Sequence, residues 1–223
     1  MIKKDILIVG SGPSGVSAAF PLVEAGLNVT MIDGGKTSVD EIPSGEYLNN
    51  RFRDKDQWRY LLGKNYESMS SKRTDNPKLR VPINSFVNSD FYKENSIETT
   101  NFQALGSLAT GGLSNIWGAT VASFTPEEIG EKMKGVDLSK NYKIIANRIG
   151  ISGEINDELS NFFGQGYNLQ PPISLDPVLK NFLSRYENDS KKAKESSIKF
   201  GKSRNAILTK KVDSREGCEL CGM

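Results

Sequence analysis

The sequence predicts an α/β fold built on a parallel sheet, and three observations near the N-terminus predict it. A run of branched apolar residues, Ile6 to Val9, ends at a glycine. A stretch of small and apolar residues follows, and a second branched run closes at an acid, Asp33. Strand, glycine turn, helix and strand in that order form a βαβ unit.

Each element has its own warrant. "KDILIVG" reads as a short strand buried on both faces, as parallel strands under crossover helices are. "SGPSGVSAAFPLVEAG" reads as a helix stopped by Gly26, with Pro21 expected to kink it or start a new turn. "LNVTMIDGG" is the second strand. At the first strand–helix junction Gly10, Gly12 and Gly15 form G-x-G-x-x-G. The first glycine permits the tight turn, the second lets a pyrophosphate touch the backbone, and the third lets helix pack on strand. Phosphates would sit on the helix N-terminus, where free N–H groups and the dipole favour anions. Asp33 lies where a carboxylate accepts both ribose hydroxyls, and its charge argues against a 2′-phosphate. With 21 glycines in 223 positions the bare pattern is weak, and the strand before it and the acid after it carry the assignment. The prediction is a Rossmann-like FAD/NAD(P)-binding fold, incomplete within this chain, with irregular and helical insertions. Lys36 reads as a solvated lysine rather than a phosphate partner.

Composition excludes several classes. An apolar fraction of 37% and a charged fraction of 25% describe an ordinary soluble protein, and a net charge of +2 offers no global field for nucleic acid or an anionic membrane. No run is long enough to span a bilayer, so a cytoplasmic location is the default expectation. The chain contains no histidine. Serine–His and cysteine–His catalysis and most zinc chemistry are thereby excluded, leaving chemistry supplied by a cofactor, by carboxylates or lysines, or by another polypeptide segment. Cys218 and Cys221 are read as reduced thiols without a role; as a Cys-x-x-Cys pair they make half a metal site at most, and no metal is expected.

The middle of the chain carries weaker signals. "DKDQWRYLLGK" predicts a short helix around Trp58, and "SMSSKRTDNPK" an exposed loop with a loose basic cluster of Lys72, Arg73, Lys78 and Arg80. "KLRVPINSFVNSDFY" predicts one or two short strands, with Pro82 favouring an edge. "TPEEIGEKMKG" carries a helix start, Thr125 as N-cap, Pro126 at the first position and Glu128 at the capping-box position. "SKNYKIIANRIG" and "DPVLKNFLSRYENDSKKAKES" predict amphipathic helices. "GQGYNLQPPISL" between them must be extended, and "NAILTKKV" predicts a strand.

The segment "GGLSNIWGA", residues 111–119, sets three glycines around a tryptophan. By itself it allows a turn covering a core Trp or a loop pressed against a flat ligand. With its flanks, "ALGSLATGGLSNIWGATVASFTPEEI", and with "ILIVGSGPSG" and "MIDGG" upstream, the chain resembles the flavin-binding N-terminal part of the glucose-methanol-choline (GMC) oxidoreductases. It is similar in particular to bacterial GMC-like oxidoreductases found with polysaccharide biosynthesis genes. In that family a Gly-Gly-x-Ser-x-x-Trp-Gly segment lies along the isoalloxazine ring. The resemblance implies that Gly111, Gly112, Ser114, Asn115, Trp117 and Gly118 line the flavin of a bound FAD. It places Gly10, Ser11, Gly12, Pro13, Ser14, Gly15, Asp33 and Gly34 around the ADP half. Unshielded main-chain N–H groups would stabilise negative charge on the reduced ring.

What the resemblance implies for organisation is a first βαβ unit over 1–36 and an insertion or lid over 37–104. A flavin-contacting segment and helix follow over 105–135, and a substrate or cap region starts over 136–223. The complete enzyme would be an FAD-dependent oxidoreductase oxidising an alcohol, a sugar or polyol hydroxyl, by hydride transfer to flavin. Family members are commonly more than twice as long and take a His-His or His-Asn pair from their C-terminal half, which has no counterpart here. "GCELCGM" looks like the opening of a longer cysteine run. A truncated chain is expected, complemented by a missing C-terminal half or subunit and inactive alone, with no catalytic residue of its own. Two other readings stay open: a non-catalytic Rossmann protein holding NAD or FAD, and a fragment that does not fold stably.

Overall fold

The computed structural model describes residues 6–38, 59, 62–69, 80–102, 104–125, 127–133 and 135–218. The chain divides into two compact units, one comprising Met1–Trp117 with Leu220–Met223 and the other Gly118–Glu219. Its architecture is mixed α/β, with one small parallel sheet and several helices. No helix among the described residues is long and apolar enough to cross a membrane.

The first unit is organised by the βαβ motif. Strand β1 (Ile6–Val9) pairs in parallel with β2 (Val29–Ile32), Ile6 opposite Val29 and Val9 opposite Ile32. The crossover helix α1 (Pro13–Glu24) begins with proline at its first position and continues through Pro21. Ala25 caps it, and Gly26 follows at φ +77° with its N–H on the Val23 carbonyl, so the glycine stop is where the sequence put it. The expectation of burial on both faces fails. Ile6 and Ile8 are partly covered, whereas Leu7, Val9 and Ile32 are 58%, 76% and 47% exposed. Side chains alternate across a strand, and α1 covers only one of the two faces.

Beyond β2 the chain pairs again with a distant segment. The Lys36 N–H donates to the Leu108 carbonyl (3.1 Å), and the Thr110 N–H donates back to the Lys36 carbonyl (2.9 Å). This single parallel bridge, Lys36 to Ala109, brings residues 104–115 alongside the end of β2. Residues Pro82–Val87 form a 3₁₀ turn rather than the expected strands, followed by the short helix α2 (Phe91–Glu94). Pro82 occupies the first position of that turn, where its missing N–H costs nothing. Ile83 and Val87, four apart, are both buried, and the turn packs against a second 3₁₀ turn at Gly112–Asn115. Lys36 is not simply solvated, since its ammonium pairs with Asp90 and lies 3.6 Å from Glu94. That pairing raises the Lys36 pKa and lowers that of Asp90. Trp58, Lys72, Arg73 and Lys78 lie outside the described residues; Arg59 and Leu62 are helical.

In the second unit, helix α3 (Ser139–Ile149) ends at Gly150, and α4 is the single turn Ser160–Phe163. Helix α5 (Pro177–Asn188) is followed by α6 (Ser190–Glu195). Helix α5 is capped by Asp176, whose carboxylate accepts the N–H groups of Val178 (2.8 Å) and Leu179 (3.0 Å), with proline at the first helical position. The connection 164–176 is extended as its proline pair requires, with Gln170 bridging Ser152.

Two expectations fail here. "NAILTKKV" makes no strand: Asn205 exchanges backbone bonds with Ser152 (2.9 and 3.0 Å) as an isolated bridge, and Ala206 to Thr209 continue it as a partly buried irregular segment. "TPEEIGEKMKG" makes turns and a 3₁₀ segment, Glu131–Met133, instead of a helix. Its capping bond still forms, the Thr125 N–H donating to Glu128 (2.7 Å), but Gly130 lies within the next turn. Buried Arg204 organises this unit's interior. Its guanidinium lies 5.9 Å from the Phe163 ring centre and 5.7 Å from that of Tyr167, and it donates to the Gly164 carbonyl.

Candidate functional site

The βαβ turn builds the first wall of the site. Gly10, at φ +94°, turns the chain out of β1, and its N–H donates to the Ile32 carbonyl at 2.7 Å. Gly12 is the N-cap of α1 in extended conformation; no side chain caps this end and no acid lies in the first turn. The helix N-terminus therefore presents the unshielded positive end of its dipole. Pro13 and Ser14 are exposed on that turn. A Cβ on Gly15 would land on the Gly10 carbonyl oxygen and 3.1 Å from its carbon, so the third glycine is required for helix and loop to touch.

Asp33 follows directly on β2 and is exposed. Its Oδ2 accepts both the Ser11 N–H (2.7 Å) and the Ser11 hydroxyl (2.6 Å), and its Oδ1 accepts the Gly35 N–H (2.8 Å). These bonds, the Ser11 hydroxyl first, then the Gly35 and Ser11 amides, hold its carboxyl below the usual aspartate value. A carboxylate has about four acceptor positions. Three are filled, leaving one on Oδ1, so Asp33 has a place for one further donor rather than for two ribose hydroxyls. Gly34 packs against the chain at Leu108, where an added Cβ would lie 2.7 Å from the Leu108 Cβ.

The second wall comes from residues 111–115. Gly111 and Gly112, at φ +84° and +59°, turn the chain into the 3₁₀ segment Gly112–Asn115. Ser114 Oγ donates to the Gly111 carbonyl (2.7 Å), and Asn115 Nδ2 to the carbonyls of Thr110 (3.0 Å) and Gly112 (2.8 Å). Both side chains are thus turned back to brace their own loop. The N–H groups of Gly111, Gly112 and Ser114 are also committed, to Ser11 Oγ, the Ala109 carbonyl and the Gly111 carbonyl. The expectation of unshielded amide donors does not hold at these three positions, where the turn offers bare, rigid backbone. Trp117, 42% exposed, ends the first unit, and Gly118, also exposed, opens the second.

The two walls meet. The Gly111 N–H donates to Ser11 Oγ at 2.8 Å across a hundred residues of sequence, and a Cβ on Gly112 would lie 3.5 Å from the Gly12 Cα. The structure thereby brings together Gly10, Ser11, Gly12, Gly15, Asp33, Gly34, Gly111, Gly112, Ser114 and Asn115. Sequence reasoning missed the bridge from Lys36 to Ala109 that delivers the second wall, and the Ser11 hydroxyl that fastens it. The bridge has no local pattern, and the hydroxyl's only trace is a serine between two glycines. Among the described residues no three His, Cys, Asp or Glu side chains converge to hold a metal.

The family model described as "FAD binding domain" matches residues 3–52, under a quarter of the chain, and the match contains the βαβ unit and Asp33. No curated protein matches the chain. Residues 3–52 are thus similar to an FAD-binding domain.

Proposed function

We propose that this chain supplies the FAD-binding part of a GMC-like flavin oxidoreductase that oxidises an alcohol, with a sugar or polyol hydroxyl as substrate. The observation that carries this reading is the junction of the glycine fingerprint with the Gly111–Gly112 turn. One wall has the uncapped helix end and acid suited to a pyrophosphate and ribose, and the other is a bare backbone surface suited to a flat ring. The family match supports the cofactor, and the resemblance of "GGLSNIWGA" to the ring-facing segment of GMC enzymes supports the narrower class.

The residues divide the work. The α1 N-terminus at Gly12 to Gly15 would hold the pyrophosphate, and the remaining acceptor of Asp33 a ribose hydroxyl. Gly111, Gly112 and Trp117 would lie against the ring, with Ser114 and Asn115 keeping the turn rigid. FAD, when bound, supplies the hydride acceptor. The base for the substrate hydroxyl would come from outside this chain, which is proposed to be inactive alone.

Purification under native conditions followed by titration with FAD, NAD and ADP tests the reading. FAD binding with a change in the flavin spectrum, and weaker binding of NAD, is the expected result. A folded protein that binds NAD but leaves the flavin spectrum unchanged would overturn it.

A further inference from the structure

We infer that Ser11 is a positioning residue, a latch whose hydroxyl fixes the ring-side turn against the ADP-side pocket before any cofactor arrives. The inference rests on the FAD reading above, but the latch is a property of the chain's own hydrogen bonds.

The direction of each bond is forced. The Gly111 N–H can only donate, so Ser11 Oγ accepts it at 2.8 Å. The ionised carboxylate of Asp33 can only accept, so the hydroxyl proton goes to Oδ2 at 2.6 Å. A serine hydroxyl has one proton, and that proton is committed. Ser11 therefore has none to offer a phosphate, and its side chain acts through Asp33 and Gly111 instead of on the cofactor. Its own N–H, also on Oδ2, fixes the serine backbone, so the hydroxyl is aimed from an anchored position. Gly35 holds the other carboxylate oxygen, which keeps Asp33 from rotating away.

The geometry separates two roles that a general structural defect would mix. Removing the hydroxyl leaves the Ser11 and Gly35 amides on Asp33, so the ADP pocket persists. It deprives the partly buried Gly111 N–H of its acceptor, so the ring-side turn is released. FAD, which needs both walls, should feel the loss more than ADP, which needs one.

The test compares Ser11→Ala and Ser11→Thr with the parent chain in two ways. Amide hydrogen exchange without ligand is expected to rise about tenfold at Gly111 in Ser11→Ala, the worth of one hydrogen bond, with β1 unchanged and Ser11→Thr near the parent. Unchanged exchange at Gly111 in Ser11→Ala would overturn the latch whether or not FAD binds. In titrations, Ser11→Ala should lose about tenfold in FAD affinity while ADP affinity changes by less than about threefold. Its acid limb of ADP binding should move to higher pH, because the hydroxyl is the largest influence lowering the Asp33 pKa. Equal losses for FAD and ADP would also overturn the latch. The Gly111 exchange effect in Ser11→Ala together with a parent chain that binds no FAD would support the latch and sink the proposed cofactor.

Discussion

Replacing Gly12 by alanine separates binding from folding at the fingerprint. Gly12 sits at φ −65° and ψ 173°, which any L-residue adopts, and its added Cβ would meet only the Gly111 carbonyl oxygen, at 3.7 Å. Stability should stay within about 0.5 kcal/mol of the parent, or gain slightly from a stiffer unfolded chain. Binding is different, because the methyl group would stand where the pyrophosphate must reach the main chain. Losing one hydrogen bond to a charged group costs about 1.5–3 kcal/mol, roughly ten- to a hundred-and-fifty-fold in Kd. Gly15→Ala is the contrast, since its Cβ would collide with the Gly10 carbonyl and force α1 off the loop. Overpacking of that kind costs about 1–3 kcal/mol, a fall of several degrees in Tm. Differential scanning fluorimetry reads the stability and quenching of FAD fluorescence reads the affinity. If Gly12→Ala binds FAD like the parent, the cofactor does not approach Gly12 and the placement is wrong. If Gly12→Ala melts as low as Gly15→Ala, the space around Gly12 has been misread.

The same kind of contact leads to three further outcomes. The Asp33 pKa is lowered below its ordinary 3.8, so its bonds contribute fully above that value and are lost as pH falls through the folded-state pKa. Urea unfolding of the parent and Asp33→Asn should therefore differ at neutral pH and converge in strong acid; a gap constant with pH would refute the assignment. Asp176→Ala removes the only side-chain acceptor bonded to the first turn of α5 among the described contacts and should cost roughly 1 kcal/mol, read as a lower urea midpoint with unchanged slope. Arg204→Ala empties the space between Phe163 and Tyr167 and should cost about 2–4 kcal/mol. Arg204→Met should recover most of that loss, because burial already lowers the Arg204 pKa and its Nε has no hydrogen-bond partner among the described residues.

The parts legible in the sequence were those fixed by neighbours along the chain. Strands β1 and β2, helix α1 and its glycine stop follow from a periodicity and a turn within thirty residues. The start of α5 follows from Asp176 before Pro177. What failed depended on partners far away. Leu7 and Val9 look like residues of a doubly covered strand, but only the helix side of this sheet is covered by α1. Residues 82–87 contain apolar positions that suit a strand or a tight helical turn equally. The choice was made by packing on Gly112–Asn115, a segment that sequence alone could not place beside them. Thr125 and Glu128 formed their bond without propagating a helix, which shows that a start signal does not carry a helix through a glycine and a polar run.

The make-up of the site bears on the proposed cofactor rather than on the proposed substrate. Nearly everything the two walls present is main chain: the uncapped end of α1, the Gly10–Gly12 backbone, and the turn at Gly111 and Gly112. Asp33 contributes a side chain that retains one acceptor position, and Ser11, Ser114 and Asn115 spend their polar atoms on the protein. A surface of that composition suits the proposed cofactor, because backbone amides and bare glycines match a pyrophosphate, a ribose and a flat ring irrespective of the reaction. Discrimination among alcohols requires side chains whose polar atoms are still uncommitted and face the reacting carbon. The braced turn at 111–115 has spent the polar atoms of Ser114 and Asn115 in holding itself rigid. Its rigidity is its contribution: the turn is fastened through Ser11 at a fixed place beside the glycine fingerprint and Asp33, and under the proposed reading that would set where a ring lies, with substrate choice left to groups beyond it.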